Sequence, residues 1–165
     1  MLILGVDPGL HRTGYAVVEG ATRRVRDAGV IRTTARRALP ERLAELAAGL
    51  DEVFGEHRCA LVAVEDLYAH YRHPRTAILM GHARGVVLLA AVRHRARVES
   101  LSATAVKKML TGNGHADKRQ VQRAIVLTAG LPRLPDPPDV ADAIAVALAA
   151  AERGAAVRSS RPGRA

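Results

Sequence analysis

Residues 2–9 read LILGVDPG. Leu2, Ile3, Leu4 and Val6 make a short apolar run that reads as a buried strand. The run ends on a carboxylate, Asp7, and Pro8-Gly9 then breaks the chain. A charge at the tip of a buried strand is costly unless something holds it. What Asp7 faces therefore decides how the rest of the chain is read.

Working outward, HRTGYAVVEG (11–20) and RRVRDAGVIRT (23–33) read as two further strands. The short turns between the three predict an antiparallel meander. LPERLAELAAGLDEVFGEH (39–57) has apolar residues at 39, 43, 46, 50 and 53, a helical period. CALVAVE (59–65) is a fourth strand, also buried and also ending on an acid, Glu65. PRTAILMGHARGVVLLAAVRHR (74–95) predicts a long apolar helix and ARVESL (96–101) a short fifth strand. SATAVKKML (102–110) and DKRQVQRAIVLTAG (117–130) read as helices around the loop TGNGHA. Asp117 and Gln120 have the spacing of a capping box. The last helix is DPPDVADAIAVALAAAER (136–153), with Asp136 expected as its N-cap and Pro137 as its first residue. The order predicts an α/β domain over residues 1–152, a mixed five-stranded sheet flanked by helices. Residues 153–165 read as a basic, disordered tail.

At 165 residues the chain is the size of one domain, and 48% hydrophobic content is ample for its core. No apolar run is expected to reach the length of a membrane span, and the N-terminus lacks the flanks of a signal peptide. Cys59 is the only cysteine, so an internal disulfide is excluded. It reads as a small buried thiol, and a reducing, cytoplasmic and nucleoid-associated location is expected. The formal net charge is +9. Residues 67–133 account for the excess, with 12 Lys/Arg against 2 Asp/Glu. A concentrated basic region points to a polyanion such as nucleic acid. A solvated Arg-rich surface is the plainer alternative, since 22 of the 25 basic residues are Arg. With only 2% aromatic residues, a base-stacking platform is not expected.

If the strands ending at Asp7 and Glu65 are parallel neighbours, their carboxylates meet at one edge of the sheet. Asp139 and Asp142 share a helix face at i, i+3 spacing. Asp142 heads the run AIAVALAAA and so borders the apolar face. Each acid has a simpler reading: Asp139 as a helix-dipole partner, Asp7 as a turn residue, Glu65 as loop charge. Together, four carboxylates in one partly buried cleft call for hard divalent cations, Mg²⁺ or Mn²⁺.

The blocks GVDPGLHRTGYAVVE, AVEDLY, GHARGVVLLAA, VKKMLTGNGHADKRQVQ and PPDVADAIAVALA, in this order, resemble the RuvC family of Holliday-junction resolvases. The resemblance implies an RNase H-like fold, a homodimer, and cleavage of four-way DNA junctions in recombination and repair. It implies paired symmetric nicks that leave 5′-phosphate and 3′-hydroxyl ends. It assigns Asp7, Glu65, Asp139 and Asp142 as catalytic, metal-holding acids with two Mg²⁺ per site (Mn²⁺ possible). It places Tyr68 on a DNA-contacting loop and Lys107 and Lys118 near the scissile backbone, with Lys108 and Arg119 as further phosphate contacts. It also implies association with the RuvA and RuvB branch-migration proteins. The dimer contact would fall on the helix carrying Gly81 and Gly85, whose GxxxG spacing equally fits close packing inside one subunit. His82 and His115 lack metal-ligand spacing and read as surface or structural residues. Three rivals stay open: a non-cleaving junction-binding module, an actin-like ATPase, and an RNase H-like nuclease acting on RNA. The ATPase reading needs a second domain for which the chain is too short.

Overall fold

The computed structural model describes residues 1–67 and 74–159. The chain runs β1 (Leu2–Asp7), β2 (Arg12–Glu19), β3 (Val25–Arg32), α1 (Leu39–Glu56), β4 (Leu61–Glu65), α2 (Pro74–Arg93), β5 (Arg97–Leu101), α3 (Ala103–Thr111), α4 (Lys118–Ala129) and α5 (Pro138–Ser159). The sheet order is β3-β2-β1-β4-β5. The meander β1-β2-β3 is antiparallel, and β4 runs parallel to both β1 and β5. This is the mixed five-stranded sheet expected from the element order.

Side chains alternate across each strand, which sorts the core into two layers. Ile3 of β1, Ala16 and Val18 of β2, and Leu61 and Ala63 of β4 pack against α5. Leu4, Val6, Val17 and Val62 point the other way and meet Leu46, Leu50, Val53 and Phe54 of α1 and Ala83, Val87, Ala90 and Ala91 of α2. Asp7 and Glu65 have the parity of Ile3 and Ala63, so their face is the α5 face.

The α5 layer is unusually thin. Seven buried alanines between Ala141 and Ala151 line the helix. Gly5 and Gly14 on the strands let its backbone approach. A Cβ on Gly5 would lie 2.2 Å from the Ala143 carbonyl oxygen, and one on Gly14 would lie 2.0 Å from that of Asp139. Only glycine permits this contact.

The helix ends follow local chemistry. Ser102 Oγ accepts a hydrogen bond from the Ala105 amide (3.1 Å) at the start of α3. Asp117 and Gln120 form the expected capping box, each side chain accepting the other's amide hydrogen bond at 2.9 Å. Gly112 and Gly130 close α3 and α4 in the left-handed conformation, φ 77° and 62°. Two expectations need correction at α5. The Asp136–Pro137 peptide is cis, and the helix starts at Pro138 rather than Pro137. It also continues to Ser159, so residues 153–159 are helix and not tail. Ala155 and Ala156 are strong helix formers and carry the helix past Gly154. Residues 160–165 lie outside the described residues.

α2 requires a third correction. On length and composition alone its 20 residues could cross a membrane, with a mean hydropathy of 1.3 over the best 18-residue window. His82 and Arg84 interrupt its apolar sequence, so no single apolar run spans the helix. One face of α2 is covered by α1 and the sheet. The opposite face exposes Ile78, His82, Gly85, Leu89 and Val92, a heptad-like 4-3-4-3 seam. Ile78, Leu89 and Val92 are 61%, 60% and 70% exposed. Among the described residues, a Cβ on Gly85 would meet nothing within 4 Å, and one on Gly81 only Leu67 Cδ1 at 3.9 Å. Among those residues, neither glycine serves close packing within the subunit.

Candidate active site

The turn after β1 is held from three sides. Thr13 Oγ1 donates to the Gly9 carbonyl (2.8 Å) and Thr33 Oγ1 to the Leu10 carbonyl (2.6 Å). Arg42 donates from Nε to Thr33 Oγ1 (3.0 Å) and from Nη2 to the Leu10 carbonyl (3.3 Å). Thr13 and Thr33 are the buried polar residues among those described, and both are satisfied. The result is a fixed exit for the chain at Asp7.

Val6 pairs with Val64 in parallel register, so the next step along both strands sets Asp7 beside Glu65. Asp7 also pairs with Gly14, the residue on which Asp139 rests. The close contact of α5 with the sheet thus brings Asp139 and Asp142 over the tips of β1 and β4. The electrostatics record the meeting. The Asp7 carboxyl is pushed up to about 7, first by burial and then by the charges of Asp142, Glu65 and Asp139. Glu65 is raised by burial and by Asp142, against the pull of Lys107. Asp142 is raised by burial and by Asp139, against Lys118. Asp7 therefore feels all three of the other expected acids, and two of the three lysines act on Glu65 and Asp142.

Four carboxylates without nitrogen or sulfur donors match the preference of hard divalent cations such as Mg²⁺. The mutual repulsion at Asp7 is what such a cation relieves. The acids are nonetheless spread. Among the described residues, the one set of ligand atoms all within 4.8 Å of one another is Asp27, Glu56 and His57. That set is a structural tie between β3 and the end of α1. His57 Nε2 lies 3.3 Å from Asp27 Oδ2, which also accepts from the Tyr15 hydroxyl at 3.1 Å. Asp139, for its part, is engaged by Arg12 Nη2 at 2.8 Å. Sequence reasoning passed over Arg12, Gly5 and Gly14. The glycines carried a signal, since an isolated glycine inside a strand marks close backbone approach.

The remaining expected residues are distributed less tightly. Lys108 on α3 and Arg119 on α4 are exposed beside Lys107 and Lys118. Tyr68 lies outside the described residues. His82 and His115 are exposed, as expected of surface residues. Cys59 is buried, and burial pushes its thiol up to about 11, so it is no nucleophile.

A family model described as crossover junction endodeoxyribonuclease RuvC matches residues 3–150. The chain belongs to the RuvC family. A RuvC from Rhodopirellula baltica is 53% identical over 148 residues, covering 88% of this chain and 83% of that one. A RuvC from Alkaliphilus metalliredigens is 41% identical over 156 residues, covering 93% and 94%. Among solved structures, Thermus thermophilus RuvC superposes with a TM-score of 0.87 at 33% identity, covering 95% and 97%. The same protein in complex with a Holliday junction substrate gives 0.87 at 34%, covering 93% and 94%. RuvC membership makes the chain a nuclease of the crossover-junction class and its sheet an RNase H-like fold.

Proposed function

We propose that this chain resolves four-way DNA junctions by paired, symmetric nicks, using divalent cations held by Asp7, Glu65, Asp139 and Asp142. The observation that carries this reading is the Asp7 carboxyl, raised to about 7 among three other carboxylates at the tips of β1 and β4. Two Mg²⁺ ions, or Mn²⁺, suit the donor set. Bound there, such ions lower the pKa of an attacking water and offset charge on the leaving 3′ oxygen.

The side chains divide the remaining work. Asp7, between Glu65 and α5, is the common carboxylate of the cluster. Glu65 and Asp142 each hold a lysine in their field, Lys107 and Lys118. Those ammonium groups meet the phosphate oxygens and offset the charge that develops there. Lys108 and Arg119 extend the same basic surface along the DNA backbone. Tyr68 joins it as a DNA-contacting residue. Hydrolysis would leave 5′-phosphate and 3′-hydroxyl ends.

The homodimer belongs to the same reading. The exposed seam Ile78–Gly85–Leu89–Val92 on α2 suits a second copy of the same helix, with the glycine admitting close approach. A two-fold dimer presents two sites to two strands of like polarity, which matches the near two-fold symmetry of a junction. Association with RuvA and RuvB is an extension of it.

The test is cleavage of labelled substrates by the full chain, read on a denaturing gel in Mg²⁺, Mn²⁺ and Ca²⁺. A four-way junction should be cut symmetrically in Mg²⁺ or Mn²⁺, and linear duplex and RNA–DNA hybrid should not. Binding without cutting in any ion would favour a junction-binding module. Preferential cutting of the hybrid would favour the RNA-directed nuclease.

A further inference from the structure

We infer that Arg12 is a positioning residue that sets how tightly the site takes its divalent cation, by competing for Asp139. The inference rests on the proposed role of Asp139 as a ligand.

Arg12 opens β2 and shares the parity of Gly14, Ala16 and Val18, so its side chain leaves the sheet on the α5 face. Two residues on, Gly14 carries the Asp139 backbone directly against it. The two side chains are thereby held in reach, and Arg12 Nη2 meets Asp139 Oδ2 at 2.8 Å. Both are about one-third exposed, at 36% and 29%, so water screens the pair only in part.

The two lysines that act on the acids do so at a longer range. Lys107 and Lys118 are felt by Glu65 and Asp142 through their charge, whereas Arg12 touches its acid. An arginine is charged at every working pH, so this partner does not leave by losing a proton. One detail fits a guanidinium that is drawn to Asp139 rather than settled in a site of its own: among the described residues its buried Nε has no hydrogen-bond partner. Arg12 lines the same groove as Asp7 and Asp139, so it can swing away from Asp139 without leaving the site. A cation that recruits Asp139 must first displace Arg12.

The test is calorimetric titration of the DNA-free full chain with Mn²⁺ above pH 7.5. Arg12→Gln should bind Mn²⁺ about two- to fivefold more tightly than the wild type, the range that a partly screened ion pair supplies. Arg12→Lys should stay within about twofold of the wild type, because the charge remains. In an Asp139→Asn background, Arg12→Gln should change affinity by less than about twofold. Unchanged or weaker binding by Arg12→Gln, or equal tightening in the Asp139→Asn background, overturns the inference while leaving the ligand role of Asp139 standing. Mn²⁺ binding by Asp139→Asn as tight as the wild type overturns both.

Discussion

Asp7 is held where burial and three neighbouring carboxylates make its charge unwelcome. Its carboxyl titrates near 7 in the folded chain and near the ordinary carboxylate value when unfolded. The folded state therefore binds the proton more tightly between about pH 4 and pH 7. Stability from this group is complete below about pH 4 and is lost as pH rises through about 7. In chelator, Asp7→Asn should accordingly melt higher than the wild type at pH 7.5, by about 1–3 kcal/mol, and the gap should close near pH 4. Thermal melts across that range check it, and a constant gap would contradict the repulsion described. The same carboxyl predicts proton release on cation binding. Mn²⁺ affinity should rise with pH up to about 7 and level off above it. Calorimetry in two buffers of different ionisation enthalpy reads the proton directly. At this scale the acids were legible in the sequence, since Asp7 and Glu65 each end an apolar run and Asp142 heads one. The Arg12–Asp139 pair was not. It depends on α5 landing on β2, a contact between residues 127 positions apart in sequence that no local pattern announces.

Among elements, the contact of α5 with β1 and β2 matters most for the site. Gly5→Ala would drive a methyl to 2.2 Å from the Ala143 carbonyl oxygen and 2.7 Å from Ala147 Cβ. Neither neighbour can rotate away, because one is backbone and the other a methyl on a rigid helix. The helix must shift, at a cost of about 1–3 kcal/mol or more. We expect a lower melting temperature together with weaker Mn²⁺ binding, because Asp139 and Asp142 ride on α5. A lower melting temperature with unaltered Mn²⁺ affinity would mean that α5 does not position the acids. Periodicity made the strands and the helices readable in advance, whereas the parallel pairing of β1 with β4 stood only as a condition that the sheet meets. Helix ends were less so. Pro137 satisfies the pattern of a first helical residue, but the backbone turns there and α5 begins at Pro138. Gly154 looks like a stop, but the alanines after it continue the helix. The outward seam of α2 was hidden for a different reason: an apolar residue does not reveal whether its neighbour is its own sheet or another copy.

On the scale of the molecule, the proposed function calls for two copies and a polyanion. Leu89 lies in the middle of the exposed α2 seam, where an arginine would place like charges opposite each other across a two-fold axis. Leu89→Arg should sediment as a monomer and still melt cooperatively, since the residue is 60% exposed within its own chain. Its junction products should be unpaired single nicks. A stable Leu89→Arg dimer would move the interface elsewhere. Junction binding should also weaken steeply with salt, because the basic region around α3 and α4 displaces counterions from phosphate. The most direct measurement compares wild type with Asp7→Asn on one synthetic four-way junction in Mg²⁺, recording bound fraction and strand cleavage together. The account predicts equal binding, with paired symmetric nicks from the wild type and at least about a thousandfold slower cleavage from Asp7→Asn. Cleavage by Asp7→Asn at a rate near the wild type, with binding unchanged, would contradict it.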